Sequence, residues 1–165
     1  MNSRNPCRIL VADDDADICR LSSAALRQQG YEVSTVADGA AAWAALNHQR
    51  FDLLITDNSM PELTGIELLH RMRAGRVPLA AILVSGTLPK EEYPCAPWLH
   101  PAAILLKPYT PGDLLALVDT VLRVTIGFRE QTGAIPEWQR PQAVPPADIG
   151  SAGLGAIPSP DQEST

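Results

Sequence analysis

Four groups of residues could do chemistry. Asp13-Asp14-Asp15 is a run of three carboxylates, with a fourth at Asp17. Asp57 closes the apolar run that starts at Asp52, Ser85-Gly86 closes the run from Leu79, and Lys107-Pro108 closes the run from Ala102. Carboxylates held about 4 Å apart repel by roughly 4 kcal/mol per pair at an effective dielectric of 20. Unrelieved, that repulsion raises a pKa or costs stability. A hard divalent cation relieves it. Mg2+ takes octahedral oxygen ligands and keeps several waters, so few carboxylates suffice. A lysine and a hydroxyl beside such a site suit a further oxygen-rich group, a phosphoryl. The set matches electrostatically stabilised phosphoryl transfer with one carboxylate as nucleophile.

Taken singly, each group has a plainer reading. Acids favour helix N-termini, so Asp13 to Asp17 suits a helix start. An EF-hand loop fits Asp13, Asp15 and Asp17 at positions one, three and five. It fails at the sixth position, Ile18 in place of Gly, and at the twelfth, Ala24 in place of Glu. Asp57 and Ser85-Gly86 suit turns, and Lys107 suits solvent. Only their convergence makes a site, and convergence depends on the elements that carry them.

Residues 1 to 126 alternate short apolar runs with longer amphipathic ones. Arg8 to Ala12, Tyr31 to Val36, Asp52 to Thr56, Leu79 to Val84 and Ala102 to Leu106 read as strands. Asp17 to Gln29, Gly39 to Gln49 and Gly65 to Ala74 read as helices. The last helix is the best marked. Thr110 is its N-cap, Pro111 its first residue and Asp113 the partner in a capping box. Leu114, Leu117, Val118, Val121 and Leu122 form its apolar stripe. Five strands alternating with helices predict an α/β fold with a parallel sheet covered on both faces. In such sheets ligands bind beyond the carboxyl ends of the strands, where the strand order reverses. That rim is where the four groups fall.

The sequence comprises 165 residues, 13 basic and 19 acidic, with a formal charge of -6. Its length fits one domain. The acidic balance argues against nucleic acid as a partner. No run of about 18 apolar residues is present, so no membrane span is expected. The polar N-terminus lacks a signal-peptide core. Cys7, Cys19 and Cys95 form no CxxC, which points away from a disulfide framework or a zinc site and towards a reduced, cytoplasmic compartment. His48, His70 and His100 are scattered and receive no metal role. Residues 127 to 165 hold six prolines and five glycines, and their apolar residues follow no period. They read as a disordered Pro/Gly-rich tail, too short for a usual DNA-binding output domain.

Together the motifs Ile9-Leu-Val-Ala-Asp-Asp-Asp15, Asp52-Leu-Leu-Ile-Thr-Asp-Asn-Ser-Met-Pro61 with Gly65, Ile82-Leu-Val-Ser-Gly86 and Leu106-Lys-Pro-Tyr109 resemble the receiver domain of two-component response regulators, here of the stand-alone type. The likeness covers about residues 7 to 124. It implies a flavodoxin-like, doubly wound sheet of order 2-1-3-4-5 with five helices. It implies that Asp57 is the phosphoacceptor, taking its phosphoryl from a phosphohistidine on a sensor histidine kinase or a histidine phosphotransfer protein. Asp14 and Asp57 would then ligate Mg2+ directly, Asp13 mainly through a water, and the Ser59 backbone carbonyl would be a further ligand. Lys107 would pair with the phosphoryl oxygens and Ser85 would hydrogen-bond them. Lys107-Pro108 resembles a cis-proline junction. Ser59 and Thr87 would flank the phosphoryl and tune its lifetime. The protein would signal through altered binding of a downstream protein, promoting its own phosphorylation and dephosphorylation rather than acting as an enzyme on other substrates.

Two departures stand out. Ile104 occupies the place of the family's switch aromatic, and reads as a core residue of the last strand. Thr87 to Pro101 should hold a helix but contains Pro89, Pro94, Pro97 and Pro101, and interior proline costs a helix about 3 kcal/mol or more. An irregular fourth helix region is therefore expected. Both departures favour an alternative, a phosphorylation-independent receiver-fold scaffold. The complete acid pair, acceptor, hydroxyl and lysine oppose it. A flavin carrier of the same fold is disfavoured because the first loop offers carboxylates instead of a phosphate-binding backbone.

Overall fold

The structure, a computed structural model, describes residues 6–87 and 100–132. Its elements run β1 (Arg8–Ala12), α1 (Ala16–Gln28), β2 (Glu32–Val36), α2 (Gly39–His48), β3 (Leu53–Asp57), α3 (Gly65–Ala74), β4 (Ala80–Ser85), β5 (Ala103–Leu106) and α4 (Pro111–Thr132). The five strands are all parallel and lie in the order β2-β1-β3-β4-β5. The irregular Pro-rich region expected between Thr87 and Pro101 lies mostly outside the described residues, as does the tail from residue 133.

β3 and β4 are buried along their whole length, which is why they read as unbroken apolar runs. Their side chains still alternate between two layers. Ile9, Val11, Leu53, Ile55, Ile82, Val84 and Leu105 join Leu26 of α1 and Leu114, Val118, Val121 and Leu122 of α4. Leu10, Ala12, Leu54, Ala81 and Leu83 join Ala42 of α2 and Ile66, Leu68, Leu69 and Met72 of α3. Ile104 packs against this second layer as a partly buried residue, in keeping with its reading as core. β2, at the sheet edge, buries only Val33, with Glu32 and Thr35 exposed and Ser34 and Val36 part-buried.

The helix ends follow their local chemistry. Thr64 and Glu67 form a capping box at α3, with Thr64 N–H donating to Glu67 Oε2 at 2.8 Å. Thr110 and Asp113 repeat it at α4, where Thr110 N–H donates to Asp113 Oδ2 at 2.8 Å and Asp113 N–H donates to Thr110 Oγ1 at 3.2 Å. α4 does not stop at Ile126, where the composition shifts, but continues to Thr132. Gly127 costs a helix only about 1 kcal/mol, and the first later proline is Pro136. Among the described residues, no helix is long and apolar enough to cross a membrane.

Candidate functional site at the carboxyl rim of the sheet

In-register parallel pairing brings the chemical groups together. Ala12 pairs with Thr56, so Asp13 and Asp57, each one residue further on, leave the sheet side by side. Asp57 pairs with Val84, and Ser85 with Leu106, so Ser85 and Lys107 follow at the same level. The strand order reverses between β1 and β3, the place where open α/β sheets bind ligands.

The acidic run divides its labour. Asp15 is the N-cap of α1, its carboxylate accepting from Asp17 N–H at 2.8 Å and Ile18 N–H at 3.3 Å. Asp13 and Asp14 instead group with Asp57, one carboxylate oxygen of each lying within 4.8 Å of the others. Asp14 is exposed, whereas Asp13 and Asp57 are buried. Asp13 Oδ1 accepts from Asp15 N–H at 2.9 Å, and Asp57 Oδ2 accepts from Ser59 N–H at 2.9 Å. Lys107 Nζ lies 2.8 Å from Asp57 Oδ1 and 3.9 Å from Asp13 Oδ2. The Lys107-Pro108 bond is cis. Ser85, the last residue of β4, is buried, and its Oγ accepts from Thr87 N–H at 3.4 Å. Ser59 is exposed.

The electrostatics follow from burial and charge. Burial holds the Asp13 carboxyl above its ordinary value, helped by the Asp57 and Asp14 charges, while the Asp15 N–H and Lys107 pull the other way. Burial also works to lower the Lys107 pKa, but its hydrogen bond and attraction to Asp57, and its attraction to Asp13, leave it above the usual lysine value. Three carboxylates and one ammonium, when all are charged, leave two negative charges (-3 + 1 = -2). That surplus, presented by hard oxygen donors, fits one divalent cation such as Mg2+ or Ca2+ better than a soft metal.

Two features of the segment after β3 hold Asp57 in place. A Cβ on Gly65 would collide with the Asp57 carbonyl oxygen and stand 2.8 Å from Leu83 Cδ1. Only glycine therefore lets α3 start so close to the end of β3. Asn58 N–H donates to the Val84 carbonyl at 2.8 Å, and Asn58 Oδ1 accepts from Ile66 N–H at 3.3 Å in the first turn of α3. The Asn58 contact has a sequence signal, an Asx residue in the loop that leads into a helix. Sequence reasoning gave it no part.

A five-stranded doubly wound sheet with an acid-and-lysine cluster at its switch point defines a receiver-type signalling domain. The response regulator receiver domain model matches residues 9–119, and the chain belongs to that family. It is 35% identical over 115 residues to the response regulator receiver protein CpdR of Brucella abortus, covering 70% of this chain and 96% of CpdR. It is 28% identical over 120 residues to the probable transcriptional regulatory protein TcrX of Mycobacterium tuberculosis, covering 73% of this chain. The chain spans about half the length of TcrX, the match covering 51% of it. Among solved structures, the response regulator TrrA of Thermotoga maritima in complex with Mg2+-BeF superposes with a TM-score of 0.62 at 26% identity, covering 70% of this chain and 98% of TrrA.

Proposed function

We propose that this chain is a phosphoacceptor receiver in a two-component or phosphorelay pathway, with Asp57 the residue that carries the phosphoryl group. The observation that carries the reading is the environment of Asp57. Its carboxylate is buried at the switch point, one oxygen held by Lys107 at 2.8 Å and the other by Ser59 N–H at 2.9 Å, with two further carboxylates alongside.

Asp13, Asp14, Asp57 and the Ser59 backbone carbonyl would hold Mg2+. Bound there, the ion supplies charge neutralisation for the carboxylates and the phosphoryl oxygens. Asp57 is the nucleophile. One of its carboxylate oxygens attacks the phosphorus of a phosphohistidine, the P–N bond breaks, and the imidazole nitrogen leaves with the bonding pair. Lys107 pairs with the phosphoryl oxygens, and the Ser85 hydroxyl donates to one of them. The donor is a sensor histidine kinase or a histidine phosphotransfer protein in the cytoplasm. The output is altered binding of a downstream protein rather than turnover of another substrate. The signalling unit is residues 1–126, followed by the Pro/Gly-rich stretch 127–165, whose first residues, to Thr132, continue α4.

Chemical trapping tests this reading. After incubation with acetyl phosphate and Mg2+, borohydride reduction of an aspartyl phosphate yields homoserine. Peptide mass spectrometry should find homoserine at position 57 alone. Homoserine elsewhere, or none in protein shown to be folded, contradicts it.

A further inference from the structure

Asn58 follows Asp57 directly and is part-buried, yet the phosphoryl chemistry gives its side chain no task. Its main chain is held on both sides. Asn58 N–H donates to the Val84 carbonyl of β4 at 2.8 Å, and the Asn58 carbonyl accepts from Gly65 N–H, at the start of α3, at 3.2 Å. That carbonyl and Ser59 N–H belong to one planar trans peptide group and point in opposite directions. Holding the carbonyl therefore aims the N–H, and Ser59 N–H donates to Asp57 Oδ2 at 2.9 Å.

The side chain supplies the second half of a clasp. Asn58 Oδ1 accepts from Ile66 N–H at 3.3 Å. Two successive N–H groups of α3, those of Gly65 and Ile66, thus bind the two oxygens of Asn58. The approach is close, since a Cβ on Gly65 would stand 3.1 Å from Asn58 Cα. The first N–H groups of a helix have no partner inside it. Thr64, the N-cap, takes that of Glu67 locally. Asn58 takes that of Ile66 across the loop between β3 and α3, so its bond ties loop to helix. One hydrogen bond leaves a peptide group free to turn about it, whereas two bonds to one residue fix its direction.

We infer that Asn58 is a positioning residue: its side-chain oxygen, held by Ile66 N–H, fixes the Asn58–Ser59 peptide group so that Ser59 N–H holds Asp57 Oδ2 while Lys107 holds Oδ1. The carboxylate is thereby kept in one orientation for the cation and the phosphoryl donor. That last step rests on the function proposed above.

The test uses the full-length protein with Asn58→Ala, Asn58→Leu and Thr64→Ala. Asn58→Leu keeps the side-chain volume and loses the oxygen, so it serves if Asn58→Ala fails to fold. Isotopic labelling of serine nitrogen, with Ser59→Ala to assign the signal, reports the Ser59 amide by NMR. In metal-free protein the Asn58 variants should move that signal towards a free amide. They should speed its hydrogen exchange, and weaken Mg2+-dependent beryllofluoride binding, each about two- to tenfold, the range one net hydrogen bond supports. Thr64→Ala removes a bond in the same turn of α3. It should lower the thermal midpoint comparably, yet leave the Ser59 exchange and the binding within about twofold of wild type. Equal effects of Thr64→Ala and the Asn58 variants mean a merely helix-capping asparagine and overturn the inference. An unmoved Ser59 signal in the Asn58 variants overturns it too. A signal that moves, in a protein whose wild type binds no beryllofluoride, upholds the tie and instead overturns the phosphoacceptor reading.

Discussion

The Lys107 ammonium lies 2.8 Å from Asp57 Oδ1 while still within 3.9 Å of Asp13 Oδ2, so one cation from the sheet edge serves two buried carboxylates. Lys107→Ala leaves both with less compensation. Without divalent cations its unfolding free energy at neutral pH should fall by roughly 1.5 kcal/mol, the low end for a charged hydrogen bond because the lysine is a third exposed. Urea unfolding measures this. Because the folded-state pKa of Lys107 is raised, its contribution is fully present below the ordinary value of 10.5 and is lost as pH rises through the folded value. The wild-type and variant curves should therefore converge at alkaline pH.

The Asp13 pKa is raised as well, but here folding disfavours the charged form. Burial raises it, with Asp57 and Asp14 adding to the effect. The native state thus holds its proton more tightly than the unfolded protein does. Stability falls as pH rises from the ordinary value of 3.8 through the raised folded value. Asp13→Asn should raise the thermal midpoint of metal-free protein at pH 7 and flatten that slope. Added Mg2+ should raise the wild-type midpoint and raise the variant's by less. A variant less stable than wild type without metal would contradict this.

Gly65→Ala places a methyl group against the Asp57 carbonyl and Leu83. One of these neighbours is backbone, so relief requires α3 or the end of β3 to move. The cost should be roughly 1–3 kcal/mol, as for other overpacked sites, measured by urea unfolding. Acetyl phosphate labelling should slow as well, because the displaced segment carries Asp57, the proposed acceptor.

Ile104 packs on the α2–α3 side of the sheet. Ile104→Ala should cost roughly 2 kcal/mol, the low end for such truncations because the side chain is only partly buried. The extent of acetyl phosphate labelling in folded protein should not change. A loss of labelling without loss of stability would give Ile104 a signalling task that its packing does not indicate.

Much of the fold is legible in the sequence because its physics is local or periodic. The runs Leu53 to Asp57 and Ala80 to Ser85 are buried on both faces and so read as strands. Thr110 and Asp113 mark a helix start through side-chain bonds that span three residues. Boundaries slip where a signal is one-sided. The apolar run ends at Thr56, but Asp57 is the last residue of β3, since polarity alone does not end a ladder. α4 runs past Ile126 because no proline intervenes before residue 136. The meeting of Asp13, Asp14, Asp57 and Lys107 is legible from the strand ends once a parallel sheet is assumed. The placing of Tyr109 and Ser22 along one groove, and that of Gly65 against the Asp57 carbonyl, are not. They depend on tertiary approach, which leaves no mark in spacing or composition.

The most direct test of the central claim is the intact mass of the full-length protein after incubation with acetyl phosphate and Mg2+, for wild type and Asp57→Asn. The account predicts a gain of one phosphoryl group in the wild type, absent without Mg2+ and absent in the variant. An unchanged wild-type mass in folded protein, or an equal gain in Asp57→Asn, would contradict it.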